Sequence, residues 1–230
     1  MSENLKVTAI ILRRTNYKEA DRILSVLTRE AGQLAVIARG VRRSKSRLAG
    51  GIELFSECEL TLVKSSLNQA GMWTLTGART LHFYDNIMTN YQRLQFGYNV
   101  IKQVGQLASQ VTATDLYDTL RDTFKLLDQL TVDLRIVEIW YYLRFAAFTG
   151  NELNLLTDRA GMQLVEGATY SYNVDEEVMY FDPQGMIDTE TIKLLRVLRA
   201  NNASIAMRLA DLDNATLNNA CYLARVAAKQ

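Results

Sequence analysis

A basic run is the densest group of chemically active side chains in the sequence. Residues 39–47 carry five cations in nine positions, with Gly40, Ser44 and Ser46 between them: Arg39, Arg42, Arg43, Lys45 and Arg47. A run this basic cannot be buried, so we predict a solvated loop. Cations along such a loop can contact successive phosphates of a nucleic-acid backbone. The run therefore predicts a polyanion site, although a charged loop without a partner would have the same pattern.

Other cations precede this run and could support it. Lys18 and Arg22 flank a predicted turn, Arg13 ends the first predicted strand, and Arg14 follows it directly. Successive strand residues point to opposite faces, so only one of Arg13 and Arg14 can join a given surface. We assign Arg14, Lys18 and Arg22 to the predicted site, while the sequence leaves open which of the two neighbouring arginines faces the ligand.

The charge of the chain is divided unevenly, although its net value is only +1. Residues 1–80 contain 13 lysines and arginines against 7 acidic residues, whereas residues 81–230 contain 13 against 18. The first part is thus net positive by 6 and the second net negative by 5. A polyanionic partner should therefore bind the N-terminal part.

The residues that enzymes use most often are scarce. His82 is the only histidine, so any histidine-activated nucleophile would depend on it, and a surface or boundary position is the simpler interpretation. Neither a phosphate-binding loop motif nor a dinucleotide fingerprint occurs. Cys58, His82 and Cys221 are too few and too scattered for a structural zinc site. We predict no catalytic residues, no cofactor and no metal.

Aromatic residues indicate how a nucleic acid would be bound. Residues 1–80 contain only Tyr17, Phe55 and Trp73, and the last two fall within predicted strands, where a core position fits at least as well as a binding role. Stacking on aromatic rings is the main sequence-tolerant contact to single strands. Binding should therefore be mostly electrostatic and indifferent to sequence, which permits single or double strands.

The elements that must hold these residues change in character near residue 80. Five short apolar segments separated by turn residues precede that point and predict a small barrel, of either the OB or the SH3-like type. The predicted strands are 7–13, 22–28, 33–38, 54–63 and 72–78. The sequence therefore predicts a β domain over residues 1–80.

Residues 81–230 are predicted to form a mainly helical domain with one small β-hairpin at about 168–182. Helical periodicity covers 85–110, 113–130, 132–149, 189–200 and a last helix to about 228. Gly150 suits a left-handed C-cap and Asp213 an N-cap. The fold class is thus α+β. No signal peptide or apolar span of membrane length occurs, so we expect a cytoplasmic chain with reduced cysteines and no membrane contact.

A series of short motifs in residues 9–63 has a characteristic order. The motifs are Ala9-Ile10-Ile11-Leu12, Tyr17-Lys18-Glu19-Ala20-Asp21-Arg22, Thr28 with Gly32, 38–45, Leu48-Ala49-Gly50 and Phe55. In this order they resemble the N-terminal OB-fold domain of the RecO family of DNA repair proteins. Looser likeness continues through 135–150 and 180–195. The resemblance therefore implies an OB-fold-like barrel followed by the helical domain of that family.

Two departures from the family pattern stand out. Many relatives bind zinc through a C-x-x-C-G element, but residues 157–161 read Thr-Asp-Arg-Ala-Gly here, and no further cysteine pair follows the hairpin. The zinc motif is thus lost, and packing must replace the metal. Leu54 also stands where a proline is common, which should alter only a local bend.

The resemblance implies a function that the residue pattern alone does not. Its members bind single- and double-stranded DNA, anneal complementary strands and help to load recombinase together with RecR on DNA coated by single-strand binding protein. A RecR-like protein and the tail of a single-strand DNA-binding protein are the expected partners. From the residues alone, an RNA- or protein-binding adaptor built on the same barrel remains the alternative.

Overall fold

The first part of the chain is a closed five-stranded barrel. The structure is a computed structural model, and it describes residues 3–43, 48–64 and 71–229. Strand order around the barrel is β1-β2-β3-β5-β4, with β3 and β5 parallel and all other neighbours antiparallel. The strands are β1 (Glu3–Tyr17), β2 (Asp21–Thr28), β3 (Gly32–Ala38), β4 (Ser56–Lys64) and β5 (Trp73–Phe83). This order is that of an OB fold, so the predicted barrel and the α+β class are confirmed.

A core of apolar residues explains why the barrel closes. Alternate residues of each strand point inward, as in Val7, Ala9 and Ile11 of β1 opposite Leu60 and Cys58 of β4. Every described strand has two neighbours, so the sheet closes on itself, and the closing contact is the short parallel pairing of Val36 with Trp73 and of Ile37 with Thr74. Trp73 is buried at the start of β5 and belongs to this core.

A β-bulge in β1 changes which side chains face outward. Ile11 pairs with Val26, but Arg13 pairs with Ser25, so Leu12 is the additional residue. Ile11 and Leu12 are both buried, which strict alternation does not predict. After the bulge, Arg14 lies on the side of Leu24 in the core, and Arg13 lies on the outer side with Ser25.

Six helices follow the barrel within the described residues 84–229, and all except the short α5 correspond to predicted helices. They are α1 (Tyr91–Leu107), α2 (Ala113–Asp128), α3 (Leu134–Thr149), α4 (Thr189–Ala200), α5 (Ala203–Ala206) and α6 (Asn214–Ala227). The segment predicted as one helix over 85–110 is instead a 3-10 turn, Asp85–Thr89, followed by α1. The break falls at Asn90, whose side chain accepts a hydrogen bond from the backbone N–H of Arg93 and so begins α1.

The chain divides into two compact units, Met1–Asp128 and Gln129–Gln230. Helices α1 and α2 therefore belong to the unit of the barrel, in contrast to the boundary expected near residue 80. Phe55 is the link, since its buried ring meets Phe124 of α2 at 5.3 Å between centroids. Gly97 of α1 permits this packing, because a Cβ there would lie 2.8 Å from the Phe55 ring.

The second unit combines α3–α6 with the predicted hairpin, formed by β6 (Tyr170–Asn173) and β7 (Val178–Phe181). Gly150 ends α3 in the left-handed conformation, and Asp213 caps α6, as predicted. Residues 157–161, at the place where the resemblance implies a zinc motif, form a turn around the Asp158 carboxylate. The backbone N–H of Arg159 joins this turn to Met179 O of the hairpin at 2.7 Å. In the described ranges, no helix is long and apolar enough to cross a membrane.

Candidate nucleic-acid interface

The turn between β1 and β2 and the start of the connection between β3 and β4 form one surface. The backbone N–H of Arg42 donates to Ala20 O at 2.9 Å, and the Arg42 guanidinium donates to Lys18 O at 3.3 Å. The backbone N–H of Gly40 donates to the Asp21 carboxylate at 2.7 Å. These three bonds fix the first part of the basic run against the turn that carries Lys18.

The buried side chain of Val41 anchors the first part of the basic run to the barrel core. Val41 is buried in the barrel core between the exposed residues Arg39 and Arg42. Gly40 adopts a positive φ of 64°, which glycine tolerates without strain, and its carbonyl accepts the backbone N–H of Arg43. The run therefore begins as an ordered tight turn with its apolar side chain inward and its cations outward.

Four cations are presented on this surface, and we call them the basic face: Lys18, Arg39, Arg42 and Arg43. All four are exposed. Across residues 3–43, 48–64 and 71–229, none of them has a carboxylate within ion-pair distance. Their charge is thus available to an external anion, and their mutual repulsion would be relieved by binding one.

The remaining predicted site residues have different environments. Arg22 is half-buried, pairs with Ala38 across the strands and donates from Nε to Asn16 Oδ1 at 3.4 Å. The Arg14 guanidinium forms an ion pair with Glu53 of the β3–β4 connection. Arg13 is exposed on the opposite side of the strand. Lys45 and Arg47 lie outside the described residues.

Tyr17 contributes an aromatic ring that composition alone did not single out. Its side chain is 40% exposed at the end of β1, and Lys18 Nζ lies 5.4 Å from the ring centroid. Phe55 and Trp73, by contrast, are core residues. The alternation of β1 after Arg13 would have placed Tyr17 outward, had the bulge been foreseen. The basic face therefore has one aromatic ring beside it.

Several other charged groups of the barrel are already paired. Glu59 accepts Lys6 at 3.1 Å and Arg79 at 3.4 Å, and these cations hold the pKa of the Glu59 carboxyl below its ordinary value. Burial raises the pKa of the Cys58 thiol to about 11. His82 is exposed, with Nε2 4.0 Å from Asp128. In the part of the chain that the structure describes, no three His, Cys, Asp or Glu residues could together hold a metal ion.

A closed barrel with this strand order defines the class of OB-fold proteins, in which the face of strands 2 and 3 and adjoining loops commonly bind oligonucleotides. Residues 1–84 match the family model described as "Recombination protein O N terminal". The match ends one residue beyond β5.

Relatives support the same assignment over more of the chain. The DNA repair protein RecO of Dehalococcoides mccartyi strain 195 is 33% identical over 129 residues, covering 56% of this chain and 49% of that protein. The protein of the same name from strain CBDB1 is 26% identical over 223 residues, 90% of this chain and 82% of the relative. That of Heliobacterium modesticaldum is 30% identical, over 56% of this chain and 46% of the relative. Two of these three alignments span about half of the relative's length. The chain is thus similar to the RecO family, over the barrel in the family model and over most of its length in one of these relatives.

Proposed function

We propose that this chain binds DNA through the basic face and acts in DNA repair and recombination as a mediator without covalent chemistry of its own. The observation that carries the proposal is the set of four exposed cations with no carboxylate partner among the described residues, held by hydrogen bonds between two loops of an OB-type barrel. The relatives named DNA repair protein RecO support the cellular role.

The chemistry of the face favours phosphates over bases as its main target. Guanidinium groups donate paired hydrogen bonds to phosphate oxygens, and such contacts carry no sequence information. Single and double strands should therefore both bind, with affinity that falls as salt rises. Arg39, Arg42 and Arg43, joined by Lys45 and Arg47 of the same run, would supply most of the contacts.

Strand annealing follows from the same electrostatics. Two phosphate backbones repel each other, and a cationic surface that screens both lowers the cost of bringing complementary strands together. Weak reliance on base stacking would leave the bases free to pair. We propose that a RecR-like protein and the tail of a single-strand DNA-binding protein direct this activity, as the family resemblance implies.

The test measures DNA affinity of a variant carrying Lys18→Ala, Arg42→Ala and Arg43→Ala, by fluorescence anisotropy over a range of salt. Losing about three phosphate contacts should weaken binding at least tenfold and make the slope of log K against log salt on single strands shallower by about 2. The control variant carries Arg159→Ala, Lys193→Ala and Lys229→Ala, three exposed cations of the second unit that are paired with carboxylates.

Both variants lose the same net charge, so a difference between them reports the position of the charge. Equal affinity and equal salt slope for the two variants would refute the assignment of the basic face. Competition with an RNA oligonucleotide of matched sequence addresses the adaptor alternative, because preference for the 2′-hydroxyl would favour RNA as the natural ligand.

A further inference from the structure

The hairpin of the second unit has a strand edge that is only partly paired. Alternate residues of an antiparallel strand direct their backbone groups to opposite neighbours. The backbone of Tyr170 points away from β7 and exchanges two hydrogen bonds with Ile187, at 2.8 and 3.0 Å. Tyr172 lies two residues further along β6, so its N–H and C=O point to the same side. Among the described residues, neither group of Tyr172 has a hydrogen-bond partner on that side, so β6 has an open edge there.

A pocket of about 190 Å³ opens beside this edge. Four tyrosines line it together with Met186, namely Tyr170, Tyr172 and Tyr180 of the hairpin and Tyr222 of α6. Met186 is 70% exposed and Tyr222 is 51% exposed, although both side chains are large and hydrophobic. Pockets for drug-sized ligands usually exceed about 300 Å³. This pocket is therefore better matched to a single side chain of a peptide than to a separate small molecule.

The groups around the pocket favour a cationic side chain. Tyrosine rings attract lysine and arginine through their π faces. Ser171 lines the pocket and donates from Oγ to the Asp182 carboxylate at 2.7 Å. In the part of the chain that the structure describes, no cation lies within ion-pair distance of Asp182. Asn219 donates from Nδ2 to Met186 O at 2.6 Å, which leaves its amide oxygen to accept a hydrogen bond from a ligand.

The charge of the second unit disfavours a nucleic acid at this place. Residues 129–230 contain 9 lysines and arginines against 13 acidic residues. Burial and the nearby Glu177 carboxylate raise the pKa of the Tyr172 phenol. Lys229 pairs with Glu177 at 3.2 Å, so Asp182 is the carboxylate beside the pocket that a ligand can use. A phosphate backbone would be repelled here, whereas a basic peptide would be attracted.

We infer that the open edge of β6 and the adjoining tyrosine-lined pocket bind an extended segment of a partner protein, with a lysine or arginine of that segment in the pocket. The backbone of the segment pairs with Tyr172, and its cation lies against the tyrosine rings and Asp182. Main-chain hydrogen bonds to a strand edge supply affinity, and a side-chain pocket beside the edge supplies specificity. The inference goes beyond the proposed function, because this site takes a protein and does not depend on DNA binding by the basic face.

The probe is a short synthetic peptide of alternating threonine and valine with a central arginine, titrated into the isotope-labelled full chain and followed by NMR. The backbone amide signals of Tyr172 and Tyr222 should shift together with one affinity. Replacing the arginine of the peptide with glutamate should weaken binding about fivefold or more, because the cation is lost. Methylating the peptide amides next to the arginine should also weaken binding, because they can no longer pair with the strand edge.

Two variants test the pocket itself. Asp182→Asn removes the charge and retains an oxygen for the backbone N–H of Gln184, and Tyr222→Ala removes one ring. Each should weaken binding of the arginine peptide about threefold or more. The matched controls are Asp211→Asn and Tyr91→Ala, which make the same changes at exposed residues that do not line the pocket. Both controls should leave the peptide affinity unchanged.

Three results would overturn the inference: no shift of the Tyr172 amide signal with the arginine peptide, equal affinity for the glutamate peptide, or equal losses in the pocket variants and their controls. DNA affinity should be the same in the pocket variants as in the unmodified chain, and a loss there would mean that the pocket serves DNA instead. Unchanged circular dichroism and melting temperature show that each variant is folded.

Discussion

The cations of the basic face and those of the second unit differ in the groups that they contact. Lys18, Arg39, Arg42 and Arg43 are exposed, and the described residues provide them with no carboxylate. In the second unit, the cations other than Arg208 are paired with carboxylates or donate to backbone carbonyls. The carboxylate-paired set is Arg135, Arg159, Lys193, Arg225 and Lys229, and the carbonyl-bonded set is Arg144, Arg196 and Arg199.

This difference shows that the number of cations does not by itself indicate a binding surface. The two parts of the chain divided at residue 80 have equal numbers of lysines and arginines. What separates the basic face from the second unit is mainly the supply of acidic partners, since Arg42 of the basic face also donates to a backbone carbonyl, Lys18 O. In our proposal, the basic face keeps its charge for an external ligand, whereas the cations of the second unit contribute mainly to stability.

The largest effect should come from the two arginines of α4 that hold residues 153–155. Arg196 donates to Leu155 O at 2.6 and 2.9 Å, and Arg199 donates to Leu153 O at 2.8 Å, while both leucines are buried. Replacing both arginines with Ala leaves these carbonyls without their charged donors, and the free energy of unfolding should fall by about 3 kcal/mol. Urea denaturation measures the loss, and DNA affinity should be unchanged.

Arg208→Ala is the control for that pair, because Arg208 is an exposed arginine of the same unit with no side-chain bond to the described residues. It should change the unfolding free energy by less than about 0.5 kcal/mol. A loss of DNA affinity in the folded double variant would contradict the division between stabilising and ligand-binding cations.

A smaller loss is expected at Glu138 of α3. Its carboxylate is largely buried and accepts Arg225 Nε at 3.1 Å and the Cys221 thiol at 3.1 Å. Burial and this carboxylate together raise the pKa of Cys221 to about 12. Glu138→Ala should lower the unfolding free energy by about 2 kcal/mol, since Arg225 is half exposed and can turn toward water.

The same substitution should also speed modification of Cys221 by a thiol reagent at pH 8, because removing the neighbouring negative charge lowers the pKa of the thiol. Cys58, whose pKa is raised by its own burial in the barrel, provides the internal reference in the same sample. Unchanged stability together with unchanged Cys221 reactivity would show that the Glu138 contacts are weak.

Local sequence patterns predicted most of the strands and helices. The features that these patterns did not predict depend on contacts between residues far apart in the sequence. Gly150 and Asp213 marked the ends of α3 and α6 because capping depends on neighbouring residues. The bulge at Leu12 depends on pairing with β2, and the place of α1 and α2 in the barrel unit depends on packing around Phe55. Neither contact leaves a local signature in the sequence.

The candidate site shows the same limit. The basic run was recognisable from composition, but its hydrogen bonds to Lys18 O and Ala20 O join residues about 22 to 24 positions apart. The pairing of Arg14 with Glu53 spans 39 positions, so the sequence could not distinguish Arg14 from the free cations. Whether Arg14 contributes to binding therefore stays a prediction that the pairing makes testable.

The smallest expected effect sharpens the comparison within the barrel itself. Arg14 resembles the second-unit cations, since Glu53 neutralises it on the side of the strand that also carries Asn16 and Arg22. Glu53→Gln would release this charge to the basic face. DNA affinity should then rise about two- to fivefold, and the salt slope on single strands should become steeper by up to about 0.7.

Glu59→Gln is the matched control, because it makes the same change in net charge on the same barrel. It releases Lys6 of β1 and Arg79 of β5, which lie on either side of β4 and are not part of the basic run. If the two variants gained affinity equally, overall charge would explain the result, and Arg14 would not belong to the DNA-binding surface. A gain in affinity that is confined to Glu53→Gln and is abolished by adding Arg14→Ala would place Arg14 among the ligand-binding cations. It would also show that the ion pair with Glu53, and not the position of Arg14, prevents this residue from contributing to DNA binding in the unmodified chain.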